Sequence, residues 1–511
     1  MGDQEVESES PSAAFGADSS LMLVRFSGDV TTKARATRKR FVQRLQKNLK
    51  DALKSEGVTS RVTRTHDRLL IESRGEGGLD AASRVFGVQS VSRVQARPWT
   101  RADDLVEAGF GLFEAAIRDK LFAVRVRRVG ERSRIPIESA EIERVLGARL
   151  FPLARGVNLR HPEVAVHIEV MPGRAYFFHD SRSARGGLPL GVEGSAVALV
   201  SGGFDSAVAA WQLLKRGVAL DYVFCNLGGR SHQLEALRVL EQLADRWSYG
   251  TRPHIHAIDF DRVSRDIQAK VTTRYWQVVL KRLMLRAAEA VAADRGAVAI
   301  ITGDAVGQVS SQTLQNLAVI SQAATLPILR PLVGLNKDEI LTIARDIGTY
   351  ELSKLVGEYC AMVPSRPATQ AALSTILQEE KKLDTGLLDR ALAERSVVDL
   401  RELDLDALDA PELEVEEISP GTTILDLRSE AAYRAWHYPE ALYLDFAGAL
   451  RAYEHFDKSP AYVLYCEFGV KSAHLAELMR EAGFDARHFG RGLRDLFDYA
   501  QRHGIPTPEG V

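Results

Sequence analysis

A short apolar run, residues 196–200, delivers the chain straight into Ser201-Gly202-Gly203-Phe204-Asp205-Ser206, and helical periodicity starts there. Few folds accept that order. An unbroken apolar run is buried on both faces, so it belongs inside a parallel sheet covered by helices. Three more such runs, 221–226, 254–258 and 298–301, alternate with helical segments up to about residue 354. The stretch therefore predicts an α/β domain on a parallel sheet. Paired glycines let backbone approach a phosphate closely, and free N–H groups at a helix start point towards it. Ser201 and Ser206 add hydroxyl donors. Asp205 would be repelled by phosphate unless Mg²⁺ stood between them, so the loop predicts a metal-bridged nucleotide. No lysine follows the glycines, which excludes the GxxxxGK[ST] loop.

A second glycine-rich loop supports the first. Run 298–301 ends in Thr302-Gly303-Asp304-Ala305, and Gly307 to Thr313 follow. Ligands in open α/β sheets bind beyond the carboxyl ends of strands, where both loops lie. Lys281-Arg282 could bring positive charge to that cleft, or simply face solvent on a helix.

At 511 residues the chain is too long for one core. Its 45% hydrophobic and 26% charged residues are those of an ordinary soluble protein. No apolar run is long enough for a membrane helix, and the start lacks the basic and apolar regions of a signal peptide. The cytoplasm is the expected location. The net charge of -2 hides an asymmetry: residues 21–184 hold 31 Lys+Arg against 19 Asp+Glu, a local +12. A basic N-terminal third points to a polyanion such as nucleic acid, against the alternative of a solvated charged surface.

Residues 1–20 read as an acidic, Ser-rich tail, expected to be disordered. Residues 21–97 follow a βαββαβ order, the ferredoxin-like pattern. Residues 98–184 combine a helix over 102–119, a basic strand over 122–128, a helix over 139–150 and a hairpin turned at Pro172-Gly173. Arg125 and Arg127 fall on one face of that strand, an arrangement that suits phosphate better than a core. The parallel-sheet domain is expected over 190–396, with a helical stretch over 370–395. An acidic linker is expected over 397–420 and a smaller α/β domain over 421–511.

Three cysteines occur, Cys225, Cys360 and Cys466, none in a CxxC pair. A structural zinc site is not expected, and no metal-ligating residues are assigned. Cys466 follows an apolar strand and opens Cys466-Glu-Phe-Gly-Val-Lys-Ser472 before a helix. A thiol at a helix N-terminus is favoured as thiolate, the species that can hold sulfane sulfur, and Lys471 would help. Cys225 sits inside an apolar strand and reads as core. On pattern alone Cys360 could equally be a loop cysteine without a role.

The S-G-G-x-D-S loop resembles the PP-loop of ATP pyrophosphatases. Phe122-Ala-Val-Arg-Val-Arg-Arg128 and His161-Pro-Glu-Val-Ala-Val-His-Ile-Glu169 are similar to the THUMP domain. Leu425-Asp-Leu-Arg428, Tyr433 and Trp436-His-Tyr-Pro-Glu-Ala441, with the Cys466 loop, resemble a rhodanese domain. Two glycines of that rhodanese pattern are replaced, by Trp436 and Glu440. Phe224-Cys-Asn-Leu-Gly-Gly229, Thr302 to Thr313 and Glu358-Tyr-Cys360 are similar to the catalytic domain of one family, and the order of the four modules points the same way. The chain resembles the tRNA 4-thiouridine synthases (tRNA sulfurtransferases), an α/β multidomain family.

That resemblance implies an ATP-dependent enzyme. The ferredoxin-like and THUMP domains would grip tRNA and present uridine 8 to the PP-loop. Its C4 oxygen would be adenylated, with Asp205 near Mg²⁺ and pyrophosphate. A cysteine desulfurase would charge Cys466 as a persulfide, and Cys360 would then form a disulfide with Cys466. Leu199, Val200, Lys281, Gly303 and Gln312, with Ser201, Gly202, Gly203, Asp205 and Ser206, match nucleotide positions. The family also implies homodimers and, in some members, sulfur transfer to a small carrier protein for thiamine thiazole synthesis. A chain acting mainly on that carrier, and a non-catalytic tRNA-binding protein, are the rival readings.

Overall fold

A computed structural model describes residues 19–65, 67–356, 366–405 and 413–508. The acidic tail as far as residue 18, the turn residue His66, Cys360 and the middle of the expected linker lie outside them. The chain forms two compact units: Met1–Glu193 with Leu214–Val218 and Arg246–Thr251, and the remainder from Gly194 to Val511.

The first unit holds two sheets. One is built from β1 (Ser20–Phe26), α1 (Gly28–Thr31), α2 (Arg35–Ser55), β2 (Thr59–Thr65), β3 (Arg68–Arg74), α3 (Gly78–Arg84) and β4 (Val88–Arg93). Its strands run β4-β1-β3-β2, all antiparallel, which is the ferredoxin-like order. Helix α2 buries Phe41, Val42, Leu45, Leu49, Ala52 and Leu53, spaced three and four apart, against this sheet.

The other sheet follows through β5 (Gln95–Pro98), α4 (Ala102–Phe113), β6 (Leu121–Arg128), α5 (Ser139–Leu150), β7 (Gly156–Val157), β8 (Val164–Met171) and β9 (Arg174–Phe178), in the order β5-β9-β8-β6-β7. Strand β10 (Arg182–Ser183) then returns to pair with β4. Helix α4 is shorter than the periodicity predicts: it ends at Phe113, and Asp119 takes a positive φ of 57° before β6. On β6, Arg125 and Arg127 are both exposed while Val124 and Val126 are buried, as period-two alternation requires.

Glu169 on β8 ties the two sheets together. Its carboxylate accepts Arg25 Nε at 2.6 Å and Arg68 Nε at 2.9 Å, and all three side chains are largely buried. Removing one member of a buried charge cluster strands the others, so Glu169→Ala is expected to destabilise the first unit by about 3–5 kcal/mol. Urea denaturation read on that unit checks it; a loss below about 1 kcal/mol would mean that water already solvates the arginines.

The second unit holds the phosphate-loop sheet. Its elements are β11 (Ser195–Val200), α6 (Phe204–Lys215), β12 (Ala219–Asn226), α7 (Gly229–Trp247), β13 (His254–Asp259), α8 (Asp261–Lys270), α9 (Trp276–Arg295), β14 (Ile300–Ile301), α10 (Leu314–Ser321), β15 (Ile328–Leu329), α11 (Lys337–Ile347), α12 (Tyr350–Val356), α13 (Leu373–Glu380), α14 (Thr385–Ala393) and β16 (Ser396–Asp399). The order is β15-β14-β11-β12-β13-β16, parallel except for the antiparallel edge strand β16.

Three expectations shift here. The run 298–301 contributes only Ile300 and Ile301 to the ladder, and Val298 is 65% exposed. The helical stretch over 370–395 is two helices, with Asp384 accepting from Gly386 N–H to start the second. Residues 397–399, read as the start of a linker, pair with β13. Helix α9 is covered by the core, and Arg282 is one of its buried residues.

A four-stranded parallel sheet completes this unit. It is formed by β17 (Thr423–Asp426), α15 (Glu430–Ala435), β18 (Leu442–Tyr443), α16 (Phe446–Ala452), β19 (Tyr462–Tyr465), α17 (Val470–Glu481), β20 (Ala486–His488) and α18 (Leu493–Arg502). The order is β18-β17-β19-β20. Glu440, which stands where the rhodanese pattern has glycine, adopts φ 63°. The position demands the left-handed region, which costs a side chain on the order of 1 kcal/mol. Among the described residues no helix is long and apolar enough to cross a membrane, and no group of three or more His, Cys, Asp or Glu could hold a metal.

Candidate active site

Leu199 and Val200 end β11, and Ser201 to Gly203 turn the chain into α6. Gly202 has φ 78°, and a Cβ there would lie 2.9 Å from Ala236 Cα and 3.2 Å from Val356 Cγ1. Only glycine fits the turn. The serines are engaged within the loop: Ser206 Oγ donates to Gly203 O at 3.0 Å, and Gly203 N–H donates to Ser201 Oγ at 3.4 Å. Asp205 faces Lys337 Nζ at 2.9 Å and accepts from Gln308 Nε2 at 2.8 Å. A lysine therefore stands beside the carboxylate where the sequence alone called for Mg²⁺.

Gly303 brings the second loop against the first. A Cβ on it would sit 2.8 Å from Asp205 C and 2.9 Å from Ser206 N, both backbone atoms. The next residue, Asp304, organises the cleft. It accepts from Lys281 Nζ at 2.9 Å, Thr302 Oγ1 at 2.7 Å, Arg330 Nε at 3.2 Å and Gln312 Nε2 at 3.3 Å. Burial opposes its charge, but Lys281, the Thr302 hydroxyl and Arg330 outweigh that and hold the carboxyl down to about 2. Gln312 Oε1 is a buried acceptor without a donor among the described residues, a place for a ligand N–H. Arg282 does not join the cleft. It is 2% exposed and bonds Glu380 and the Val319 carbonyl.

Cys466 directly follows β19, at the loop that leads into α17. Ser472 N–H donates to its Sγ at 3.4 Å, and the Ser472 hydroxyl lies equally near. Gly469 at φ 87° and Gly492 at φ 63° close the loop; a Cβ on Gly492 would lie 2.5 Å from Cys466 O. A cavity of about 340 Å³ opens over the thiol, walled by Arg428, Phe468, Lys471 and Val356 among others. Arg428 is held by buried Asp426, Nη2 to Oδ2 at 2.7 Å. Val356, on α12, thus lines the Cys466 cavity and packs on Gly202 of the phosphate loop. Cys225 lies in β12, where burial pushes its thiol up, as a core residue.

Residues 191–385 match the family profile described as Thiamine biosynthesis protein (ThiI), 21–92 the ThiI ferredoxin-like domain, 100–180 the THUMP domain and 409–496 the Rhodanese-like domain. A tRNA sulfurtransferase of Edwardsiella ictaluri is 35% identical, over 91% of this chain and 98% of its own length. The chain belongs to the tRNA sulfurtransferase family. Another relative of that name, from Pyrobaculum aerophilum, is 36% identical over 80% of this chain and 84% of its own. A crystal structure described as a 4-thiouridine synthetase–RNA complex with bound ATP is 30% identical, with TM-score 0.66 over 74% of this chain and 99% of that one.

The ten expected nucleotide positions fall at the end of β11, in the two loops and on α9, whereas Asp304, Arg330 and Lys337, which add charge around them, are not among the expected residues. Asp304 falls in the Thr302 to Thr313 stretch, where sequence alone gives it no role, and Arg330 and Lys337 carry no local signal. Four buried imidazoles were also not foreseen. His232, His256, His474 and His488 are each pushed, first by burial, from 6.5 down to about 4. A folded value below the unfolded one means that the unfolded chain binds more protons in between. Stability is therefore full above 6.5 and lost as pH falls towards 4. The urea midpoint of the second unit is expected to drop between about pH 7.5 and about pH 5; an unchanged midpoint would refute the burial of these rings.

Proposed function

We propose that this chain is an ATP-dependent tRNA sulfurtransferase that converts uridine 8 to 4-thiouridine. The observation that carries the reading is Val356, which packs on the phosphate-loop Gly202 and lines the cavity over Cys466. A site that activates an oxygen and a site that holds sulfur thus share a wall. The likeness to the ATP-bound 4-thiouridine synthetase–RNA complex, the THUMP match and the basic face of Arg125 and Arg127 support tRNA as substrate.

ATP is a substrate in this scheme. Backbone N–H groups at the start of α6 hold its phosphates, and Gln312 Oε1 accepts a base N–H. Leu199, Val200 and Gly303 shape the cleft. Lys281 keeps Asp304 ionised and is itself held by it. Mg²⁺ brought in with the nucleotide would neutralise phosphate charge, and Asp205 is the carboxylate in the loop whose oxygens fit it. Lys337, beside Asp205, offsets charge on departing pyrophosphate.

The uridine C4 oxygen attacks the α-phosphorus, and pyrophosphate leaves. Cys466, loaded as a persulfide by a cysteine desulfurase, attacks C4 through its terminal sulfur, and AMP departs. The product is a Cys466–S–S–C4 link. Cys360 thiolate then attacks Cys466 Sγ, giving 4-thiouridine and a Cys360–Cys466 disulfide, which a dithiol reductant resets. Cys360 carries this role from the family resemblance.

The test combines the full chain with tRNA, ATP, Mg²⁺, a cysteine desulfurase and cysteine. 4-Thiouridine by nucleoside mass spectrometry, with one pyrophosphate per thiolated base, supports the reading. Pyrophosphate without thiouridine would sink it. The thiamine-biosynthesis description of the family profile favours a second acceptor, a small sulfur-carrier protein charged through Cys466.

A further inference from the structure

Helix α17, which starts at the Cys466 loop, carries a second polar contact further along its length, at Glu477. Glu477 Oε2 accepts the backbone N–H of Arg230 at 3.0 Å, at the first turn of the nineteen-residue helix α7. A carboxylate there satisfies an N–H that the helix cannot and meets the positive end of its dipole. The seat is shaped for it. Gly229 has φ 69°, and a Cβ on it would overlap both Glu477 Oε2 and His474 Nδ1. Gly228 leaves room for His232, whose Cβ lies 2.7 Å, and whose ring Cγ and Nδ1 lie 2.9 Å, from where a Gly228 Cβ would be.

The contact continues inwards. His474 on α17 and His232 on α7 are both buried, and His474 is pushed down to about 4 by burial and then by His232 and Arg265. His232 in turn hydrogen-bonds the backbone of Ser201, the first residue of the phosphate loop. One face of α17 therefore rests on α7 next to the phosphate loop, while its N-terminal end holds the Cys466 thiol. Phe224-Cys-Asn-Leu-Gly-Gly229, a motif otherwise without a role here, supplies the seat.

We propose that Glu477 is a positioning residue for sulfur delivery: its bond to Arg230 N–H docks the sulfur-bearing domain on the ATP-binding domain, so that the Cys466 persulfide reaches the activated carbonyl. The proposal rests on the reaction given above. Glu477 touches neither nucleotide nor sulfur, so loading of Cys466 and activation of the base proceed without it. Only the meeting of the two depends on it.

The test uses the full chain and three readouts on Glu477→Lys and Glu477→Gln. With a cysteine desulfurase and cysteine, persulfide on Cys466 (one added sulfur by intact-protein mass) and tRNA-dependent pyrophosphate release should match the parent in both variants. 4-Thiouridine should fall by about tenfold or more in Glu477→Lys, because misplacing a reacting group lowers rate steeply. Glu477→Gln, whose amide oxygen still accepts the Arg230 N–H, should restore it. Sodium sulfide in place of the desulfurase gives a nucleophile that displaces AMP directly. With it, Glu477→Lys should thiolate tRNA at the parent rate. Parent-like delivery in Glu477→Lys would overturn the proposal, as would an equal loss with sulfide or a failure of Glu477→Gln to rescue. Absence of persulfide on the parent chain would instead sink the reading of Cys466, and the docking role with it; the protein mass distinguishes the two.

Discussion

Cys466→Ser is expected to abolish 4-thiouridine formation, by on the order of 1,000-fold or more, while tRNA-dependent pyrophosphate release continues. Serine preserves the volume and accepts the Ser472 N–H that now reaches the sulfur at 3.4 Å. The loop should stay closed, since its glycines and the Ser472-to-Gly469 bond do not involve the thiol. What disappears is the one sulfur among the described residues that lines the cavity and can hold sulfane sulfur. An oxygen nucleophile cannot form a persulfide, and no other described cysteine lines the cavity. Cys225 cannot substitute, because it is buried in β12 and its thiol is held protonated. The checks are nucleoside mass spectrometry for the product and phosphate-coupled detection for pyrophosphate. Thiouridine at a tenth of the parent level, about 1.4 kcal/mol of barrier, would mean that sulfur travels by another route.

Gly303→Ala is expected to have the opposite signature, losing pyrophosphate release by about 100-fold while persulfide loading of Cys466 is untouched. The added methyl would meet the Asp205 carbonyl carbon at 2.8 Å and the Ser206 nitrogen at 2.9 Å. Both are backbone atoms at the start of α6, so neither can rotate away. Relief requires the two glycine-rich loops to part, and that carries Asp205 and the free N–H groups off the phosphates. Gly307→Ala is the control: a Cβ there meets nothing within 4 Å, though φ 77° adds strain on the order of 1 kcal/mol. Isothermal titration of ATP into each variant checks the difference. ATP binding by Gly303→Ala at parent strength would show that the loops do not close on the nucleotide.

Much of this fold could be read locally. The βαββαβ order, the basic strand over 122–128 and the strand at Tyr462–Tyr465 rest on periodicities of two and 3.6, which need no knowledge of the remote chain. Lengths were less secure. Helix α4 stops at Phe113, and Ser396–Asp399 joins a sheet edge that only β13 offers. Glu440 replaces a glycine of the rhodanese pattern, yet the left-handed backbone survives there with a side chain in place of hydrogen.

By itself the sequence determined the two chemical loops, because turn glycines, a strand before them and a helix after them are all short-range facts. Ser201 to Ser206 and Cys466 were legible for that reason. The tertiary structure decided what surrounds them. Lys337 reaches Asp205 across 132 positions of chain, and Arg330 meets Lys281 on Asp304 only because β15 lies beside β14. Val356 and Glu477 are ordinary residues in their own helices. Their places against Gly202 and Arg230 arise from how sheets stack and where helices end, and burial of that kind has no local period from which it could be read.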